Sequence, residues 1–288
     1  MNKHASSLKG VYTLFKPQDR SGPILPILFD SPHSGQSFPD DFNFTCDKEN
    51  LLRLTDLYID ELFESVTQNG CTFLKAEFPR TYIDLNRSNE DIDLTLLNDI
   101  WPYPISSKGR SKHGVGLIFR LGHGNTPIYK DKFSSQEIQK RINNFYTPYY
   151  QALVRELDTL HTLHKEILHI NCHSFPSKQG YKSLPDFVLG DRCGTTCDPH
   201  IINHIKEVIE TYGYSVNINH PYQGAQIIQS TGAPTHNRHS VQIEINRKLY
   251  MDEKTLEKTI SFNKLKENIK EITKDIKPLF FTNSLAAD

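Results

Sequence analysis

Short apolar runs of strand length alternate along the chain with longer stretches in which apolar residues recur at helical spacing. "ILPILF" (24–29) predicts a first strand, ending at Asp30. "DKENLLRLTDLYIDELFESVTQNG" (47–70) predicts one helix: Leu51, Leu54, Tyr58 and Leu62 share a face, and Gly70 sits where a C-terminal cap belongs. "CTFLKAEF" (71–78) predicts a second strand ending at Pro79. Ser134 with Glu137 forms a capping-box pattern, opening a helix to about residue 164. "EILHINCHS", "PDFVLGD", "YSVNINHPY" and "HSVQIEINR" predict four further strands. Asp198–Pro199 starts a helix that ends before Gly213, and a long amphipathic helix is expected from Asp252 to about residue 280. Strands alternating with helices predict an α/β fold with a mixed, mostly parallel sheet. No repeat or linker divides the 288 residues, so a single catalytic domain (1–288) is the simplest account.

The stretch from 88 to 130 breaks the alternation. It is rich in Pro, Gly, Ser, Asn and Asp, and so long an irregular segment inside a compact protein suggests an active-site loop. Hydrophobic residues make up 37% and charged residues 23%, with a net charge of −1. With a pI near 6.9, this balance gives no footprint for nucleic acid or an anionic membrane. No apolar run reaches the roughly 20 residues of a transmembrane helix, and the start lacks the apolar segment of a signal peptide. Five scattered cysteines fit reduced thiols in a cytoplasmic protein. "CGTTC" has no second pair to complete a structural zinc site. No pattern specifies an oligomeric state.

Ligands of parallel α/β sheets collect outside the carboxyl ends of the strands. Two strand ends finish alike, "ILFDSPHSG" on His33 and "ILHINCHSFPS" on His173. A lone strand-end histidine is usually structural, but two with the same ending suggest ligands of a catalytic zinc, which takes about three protein ligands and a water. "TDLYIDELF" offers Asp56 or Asp60 as the third, four apart and expected on one helix face, with Asp56 preferred. In "HSVQIEINR", Val241, Ile243 and Ile245 alternate with Gln242, Glu244 and Asn246. Such a polar face often meets water at a sheet edge. Beside a metal-bound water, however, Glu244 would be the natural general base. Arg80, Arg87, Arg120, Arg192 and Arg247 fall near strand ends or in the long loop and suit a small acidic substrate. There is no dinucleotide fingerprint, P-loop or serine-nucleophile elbow.

Taken together, "DSPHSG", "TDLYIDELF", "PRTYIDLNRSNEDID", "HINCHSFPS", "DFVLGDR", "NHPYQG" and "VQIEINRKLYMDE" resemble the N-formylglutamate amidohydrolase family. That resemblance implies a zinc-carboxypeptidase-like fold, a three-layer α/β sandwich with Zn2+ (or another divalent metal) at strand ends. It implies His33, Asp56 and His173 as metal ligands and Glu244 as the base. It makes Asn86 and Arg87 similar to the pair that holds a substrate carboxylate, leaving Arg120 or Arg192 for a second carboxylate. The implied reaction is hydrolysis of N-formyl-L-glutamate to formate and L-glutamate, in histidine degradation. Alternatives are a deacylase or carboxypeptidase-like hydrolase of another acidic N-acyl amino acid, or a non-catalytic ligand-binding relative. The chain departs from the expected pattern at Asn171, where aspartate is expected before "CHS". As a partner of the metal-binding histidine, Asn171 would hold the ring with less charge. On this reading the first strand stops on His33 because a metal sits there, and Gly35 turns the backbone away.

Overall fold

The computed structural model describes residues 5–17, 23–179 and 182–276. An eight-stranded sheet has the order β1-β2-β4-β3-β5-β10-β8-β9. Its strands are β1 (Ala5–Leu8), β2 (Tyr12–Phe15), β3 (Ile27–Ser31), β4 (Thr72–Ala76), β5 (Ile167–Phe175), β8 (Phe187–Gly190), β9 (Val216–Ile218) and β10 (Arg238–Asn246). A small separate hairpin holds β6 (Lys178–Gln179) and β7 (Lys182–Ser183). The central strands β4, β3, β5 and β10 run parallel, whereas β1, β2 and β8 join antiparallel.

Helices cover both faces. On one face α2 (Ile59–Phe63), α5 (Pro199–Thr211) and α7 (Phe262–Ile276) pack on Phe29, Ile170 and Ile243. On the other, α3 (Ser135–Arg141) continues through a π-helical turn into α4 (Thr147–His164), which buries Tyr149, Leu153 and Leu157 with Leu28, Leu74 and Ile227 of α6 (Gln226–Thr231). The pleat decides which residues meet which layer. Along β5, Leu168, Ile170 and Cys172 enter the first core, and along β10, Val241, Ile243 and Ile245 do the same. His169, Asn171 and His173, with Gln242, Glu244 and Asn246, therefore share the opposite face. Because β10 lies between β5 and β8, that polar row is buried rather than washed by water.

The structure corrects several boundaries. The hairpin β1–β2 was not foreseen, and Ile24 and Leu25 precede β3 rather than belonging to it. The final helix starts ten residues later than expected; its expected end lies outside the described residues. Most consequential, the single helix expected over 47–70 is broken into α1 (Lys48–Leu52) and α2, with Tyr58 in the left-handed region at φ 68°. Asp56 and Asp60 therefore do not share a helix face. The break frees backbone carbonyls, and the Arg247 guanidinium takes those of Arg53 (2.9 Å) and Thr55 (3.0 Å). Periodicity of apolar residues persists across such a break, because α1 and α2 both still face apolar neighbours.

Gly35 is also needed for a different reason than backbone freedom. A Cβ there would lie 2.4 Å from the carbonyl carbon of Glu77 and 2.4 Å from the carbonyl oxygen of Phe78. The loop after β3 rests directly on the chain leaving β4. Gly35→Ala should therefore lower stability by about 1–3 kcal/mol, the usual scale of overpacking against backbone, readable as a lower denaturant midpoint at unchanged slope. An unchanged midpoint would show that this contact yields freely.

Candidate metal centre and active site

Four segments converge beyond the carboxyl ends of β3 and β5. The backbone N–H of Asp56 donates to the carbonyl of His33 at 3.1 Å, tying the helix break to the loop after β3. Each "HS" pair contributes twice: its histidine faces Asp56, and its serine holds the break in place. Ser34 Oγ donates to the Asp56 carbonyl (2.9 Å) and accepts from the Asp60 N–H (3.2 Å). Ser174 Oγ donates to Asp56 Oδ1 (3.1 Å), where Arg247 Nη2 also donates (3.1 Å).

That leaves Asp56 Oδ2 facing two imidazoles, 3.0 Å from His173 Nδ1 and 3.4 Å from His33 Nδ1. One donor atom from each of His33, Asp56 and His173 lies within 4.8 Å of the others, and all three residues are buried. Groups behind the rings fix which nitrogen carries hydrogen. His33 Nε2 meets Asp84 Oδ1 at 2.7 Å. Burial would raise the Asp84 carboxyl, but the charges of Arg80 and Arg87 and the hydrogen bond with His33 hold it well below the usual range, so Asp84 accepts. His173 Nε2 meets Asn171 Oδ1 at 2.7 Å, and Asn171 cannot present its amide nitrogen instead, because Nδ2 donates to Asp30 Oδ1 at 2.7 Å. Each Nε2 is thus an N–H, and each Nδ1 turns a lone pair inward in the neutral ring.

Two lone pairs and a carboxylate oxygen need positive charge among them: a further proton on the rings, or a cation. Burial lowers the His173 pKa, which disfavours the proton. Burial alone would raise the Asp56 carboxyl, but contacts with His173 and His33 and the charge of Arg80 bring it well below the usual range. Among the described residues, His33 Nδ1 has no hydrogen-bond partner despite its burial. Two imidazole nitrogens and a carboxylate oxygen, oriented from behind, fit a borderline divalent cation such as zinc.

The group opens into a cavity of about 580 Å³. Glu244 lines it, with Oε1 accepting from Gln242 Nε2 at 2.7 Å and Oε2 buried without a partner. Burial, then the negative charge of Asp56, raises its pKa well above the usual carboxylate value. Among the described residues, five arginines line the cavity (Arg53, Arg80, Arg87, Arg110 and Arg247) against the carboxylates of Asp56, Glu244 and Glu253. The space is cationic overall.

The expected residues fall into three groups. His33, Asp56, His173, Glu244, Asn86 and Arg87 all line this cavity. Asn86, however, is committed within the protein: Nδ2 donates to Gln242 Oε1 (3.1 Å) and Oδ1 accepts the N–H of Ile227 (2.9 Å). Arg120 and Arg192 are not brought to the cavity. Arg120 pairs with Asp93 at 2.7 Å, and Arg192 lies in the turn after β8 with its N–H on the Gln223 carbonyl. Asp60 pairs with Lys75 at 3.1 Å, away from the histidines. Sequence reasoning missed Asp84 and Arg110. Asp84 stands two residues before Asn86, but no local pattern reveals that it reaches back across 51 positions to His33.

The fold and this site define an α/β protein whose candidate metal centre opens into an arginine-lined cavity. The chain belongs to the N-formylglutamate amidohydrolase family, whose model matches residues 25–251. It is 30% identical over 236 residues to an N-formylglutamate deformylase of Pseudomonas putida, covering 80% of this chain and 83% of that one. A deformylase of the same name from Pseudomonas aeruginosa is 28% identical over the same length and shares. The crystal structure of N-formylglutamate amidohydrolase from Ralstonia eutropha JMP134 superposes with TM-score 0.89 at 38% identity, covering 94% of this chain and 98% of that one. The gene product Atu2144 of Agrobacterium tumefaciens shares the fold at TM-score 0.63 and 12% identity, with 96% of each chain covered. Among the described residues, no helix is long and apolar enough to cross a membrane.

Elemental analysis of purified protein should find about one zinc-like divalent ion per chain. His33→Ala, Asp56→Ala and His173→Ala should each lose it, whereas Asp60→Ala should keep it. Retention by the three, or loss by Asp60→Ala, would move the centre.

Proposed function

We propose that the protein hydrolyses the formyl amide of N-formyl-L-glutamate to formate and L-glutamate, using a divalent cation held by His33, Asp56 and His173. The observation that carries this reading is the unpartnered Oε2 of Glu244, which lines the same cavity as the three inward-facing donor atoms. When bound, the cation supplies Lewis acidity, which makes water more acidic and a carbonyl carbon more electrophilic.

The chain's own residues supply the rest. Glu244 Oε2 takes a proton from the water whose oxygen bonds to the formyl carbon, and then delivers it to the amide nitrogen as the carbon–nitrogen bond breaks. That delivery matters because an amide anion is too basic to leave unassisted. Gln242 Nε2, bonded to Oε1, leaves Oε2 as the oxygen that receives the proton. Without a cation, burial and Asp56 favour protonated Glu244; a nearby positive charge acts in the opposite sense and readies it as a base. Arg87 lies next to Asn86, and its guanidinium is held by the carbonyls of Val115 (3.2 Å) and Asn86 (3.1 Å) rather than by a carboxylate. It is free to bind the α-carboxylate beside the scissile amide. The amide groups of Asn86 and Gln242, bonded to each other at 3.1 Å, line the same cavity.

Glu244→Gln keeps shape and removes basicity. Formate release should fall by ~100-fold or more, the scale of general acid–base catalysis, while metal content and N-formyl-glutamate binding stay near wild type. Normal turnover by Glu244→Gln would remove Glu244 from the mechanism.

A further inference from the structure

An acidic amino acid carries two carboxylates, and the cavity must distinguish it from its amide. Three of the five cavity arginines are already occupied. Arg80 forks onto Asp84 Oδ2 through Nε (3.2 Å) and Nη2 (2.7 Å). Arg247 is spent on Asp56, Ser174 and the carbonyls of the helix break. Arg53 holds Glu49 and the carbonyls of Glu253 and Lys254. Arg87 and Arg110 remain without a carboxylate among the described residues.

Arg110 comes from the irregular 88–130 segment, and its base is not loose. Asp91 is buried and gives one carboxylate oxygen to the N–H of Arg110 (2.8 Å) and the other to the N–H of Ser111 (2.9 Å). Gly109 lets that carboxylate in: a Cβ there would stand 1.8 Å from Asp91 Oδ1. Asp91 is itself held, its N–H on the Ser88 carbonyl (3.0 Å) and its own carbonyl accepting from Leu117 (2.8 Å). A buried carboxylate thus clamps two successive amides, and the exposed guanidinium that follows stands at the cavity with no side-chain partner among the described residues. A solvated surface arginine would be equally exposed. It would have neither the clamp nor the place in the cavity wall.

We propose that Arg110, presented by the Asp91 clamp, binds the side-chain carboxylate of the substrate and sets the preference for an acidic amino acid. The inference rests on the hydrolase reading above. Arg87 acts on Asp84, the carboxylate that holds His33 from behind, so it is the nearer of the two to the metal centre and suits the carboxylate nearest the amide. Arg110 stands on the exposed loop and suits the carboxylate farther along the substrate. The two cations also feel each other: burial is the main cause that lowers the Arg87 pKa, and the charge of Arg110 adds to it. A dianion between them relieves that repulsion.

The test compares kcat/KM for N-formyl-L-glutamate and N-formyl-L-glutamine, read as formate release, in wild type, Arg110→Gln and Arg110→Lys. Wild type should prefer the glutamate by ~10- to 100-fold, the worth of one charge-assisted contact. Arg110→Gln should lose that factor for glutamate while its glutamine rate stays within about threefold of wild type, and Arg110→Lys should recover part of the preference. The thermal midpoint of Arg110→Gln should stay within about 2 °C of wild type, as for a surface substitution. A wild-type glutamate-to-glutamine ratio in Arg110→Gln overturns the role of Arg110 and leaves the hydrolase reading standing. Folded, metal-loaded wild type that releases formate from neither compound overturns both.

Discussion

Asp56 is a buried carboxylate whose two oxygens face opposite demands, and the site depends on both being met. Oδ1 is satisfied by Ser174 and Arg247, while Oδ2 is left for the two imidazoles. Removing the arginine from such a buried pair typically costs about 3–5 kcal/mol, because the remaining charge is stranded. Here the loss would spread further, since the same guanidinium caps the carbonyls that the helix break exposes. One arginine from the end of β10 thus holds open the break that places Asp56, and Asp56 bonds back to the strand end carrying His33.

Orientation from behind is the second constraint. Asp84 and Asn171 each accept an imidazole N–H, so both rings turn Nδ1 toward Asp56. Asn171 replaces an expected aspartate without losing the acceptor, because Asp30 fixes its amide the right way round. Asp30 is in turn held by Tyr149 of α4 (2.8 Å) and by His169 (2.9 Å). The ring of His173 is therefore aligned by a chain of groups that runs along one face of the sheet to Tyr149 of the helix packed on that face. The difference from aspartate is one of charge: an amide oxygen raises the basicity of the ligand less than a carboxylate does.

Much of this was legible in the sequence, for physical reasons. Strand alternation put Glu244 with Gln242 and Asn246 on one face, and that period survives any packing of the strand. The paired "HS" endings marked His33 and His173, because strand ends of parallel sheets are where backbone leaves room for ligands. The broken helix was not legible, since the bonds that stabilise the break come from Arg247, nearly two hundred residues away. Arginine roles were equally hidden. Arg120 and Arg192 look like Arg110 in sequence, and only tertiary contacts show that Asp93 takes one, that a turn carries another away, and that Asp91 steers the third to the cavity. The identity of Asp56 over Asp60 likewise depended on the break, as one continuous helix would have presented both.

On the proposed reading, hydrolysis requires a cation among His33, Asp56 and His173. The decisive measurement is formate release from N-formyl-L-glutamate by protein dialysed against a chelator and then titrated with zinc. Turnover should be lost in the metal-free protein, with the fold retained, and should recover to a plateau at about one equivalent of zinc per chain. Full formate release by protein shown to be metal-free would contradict it.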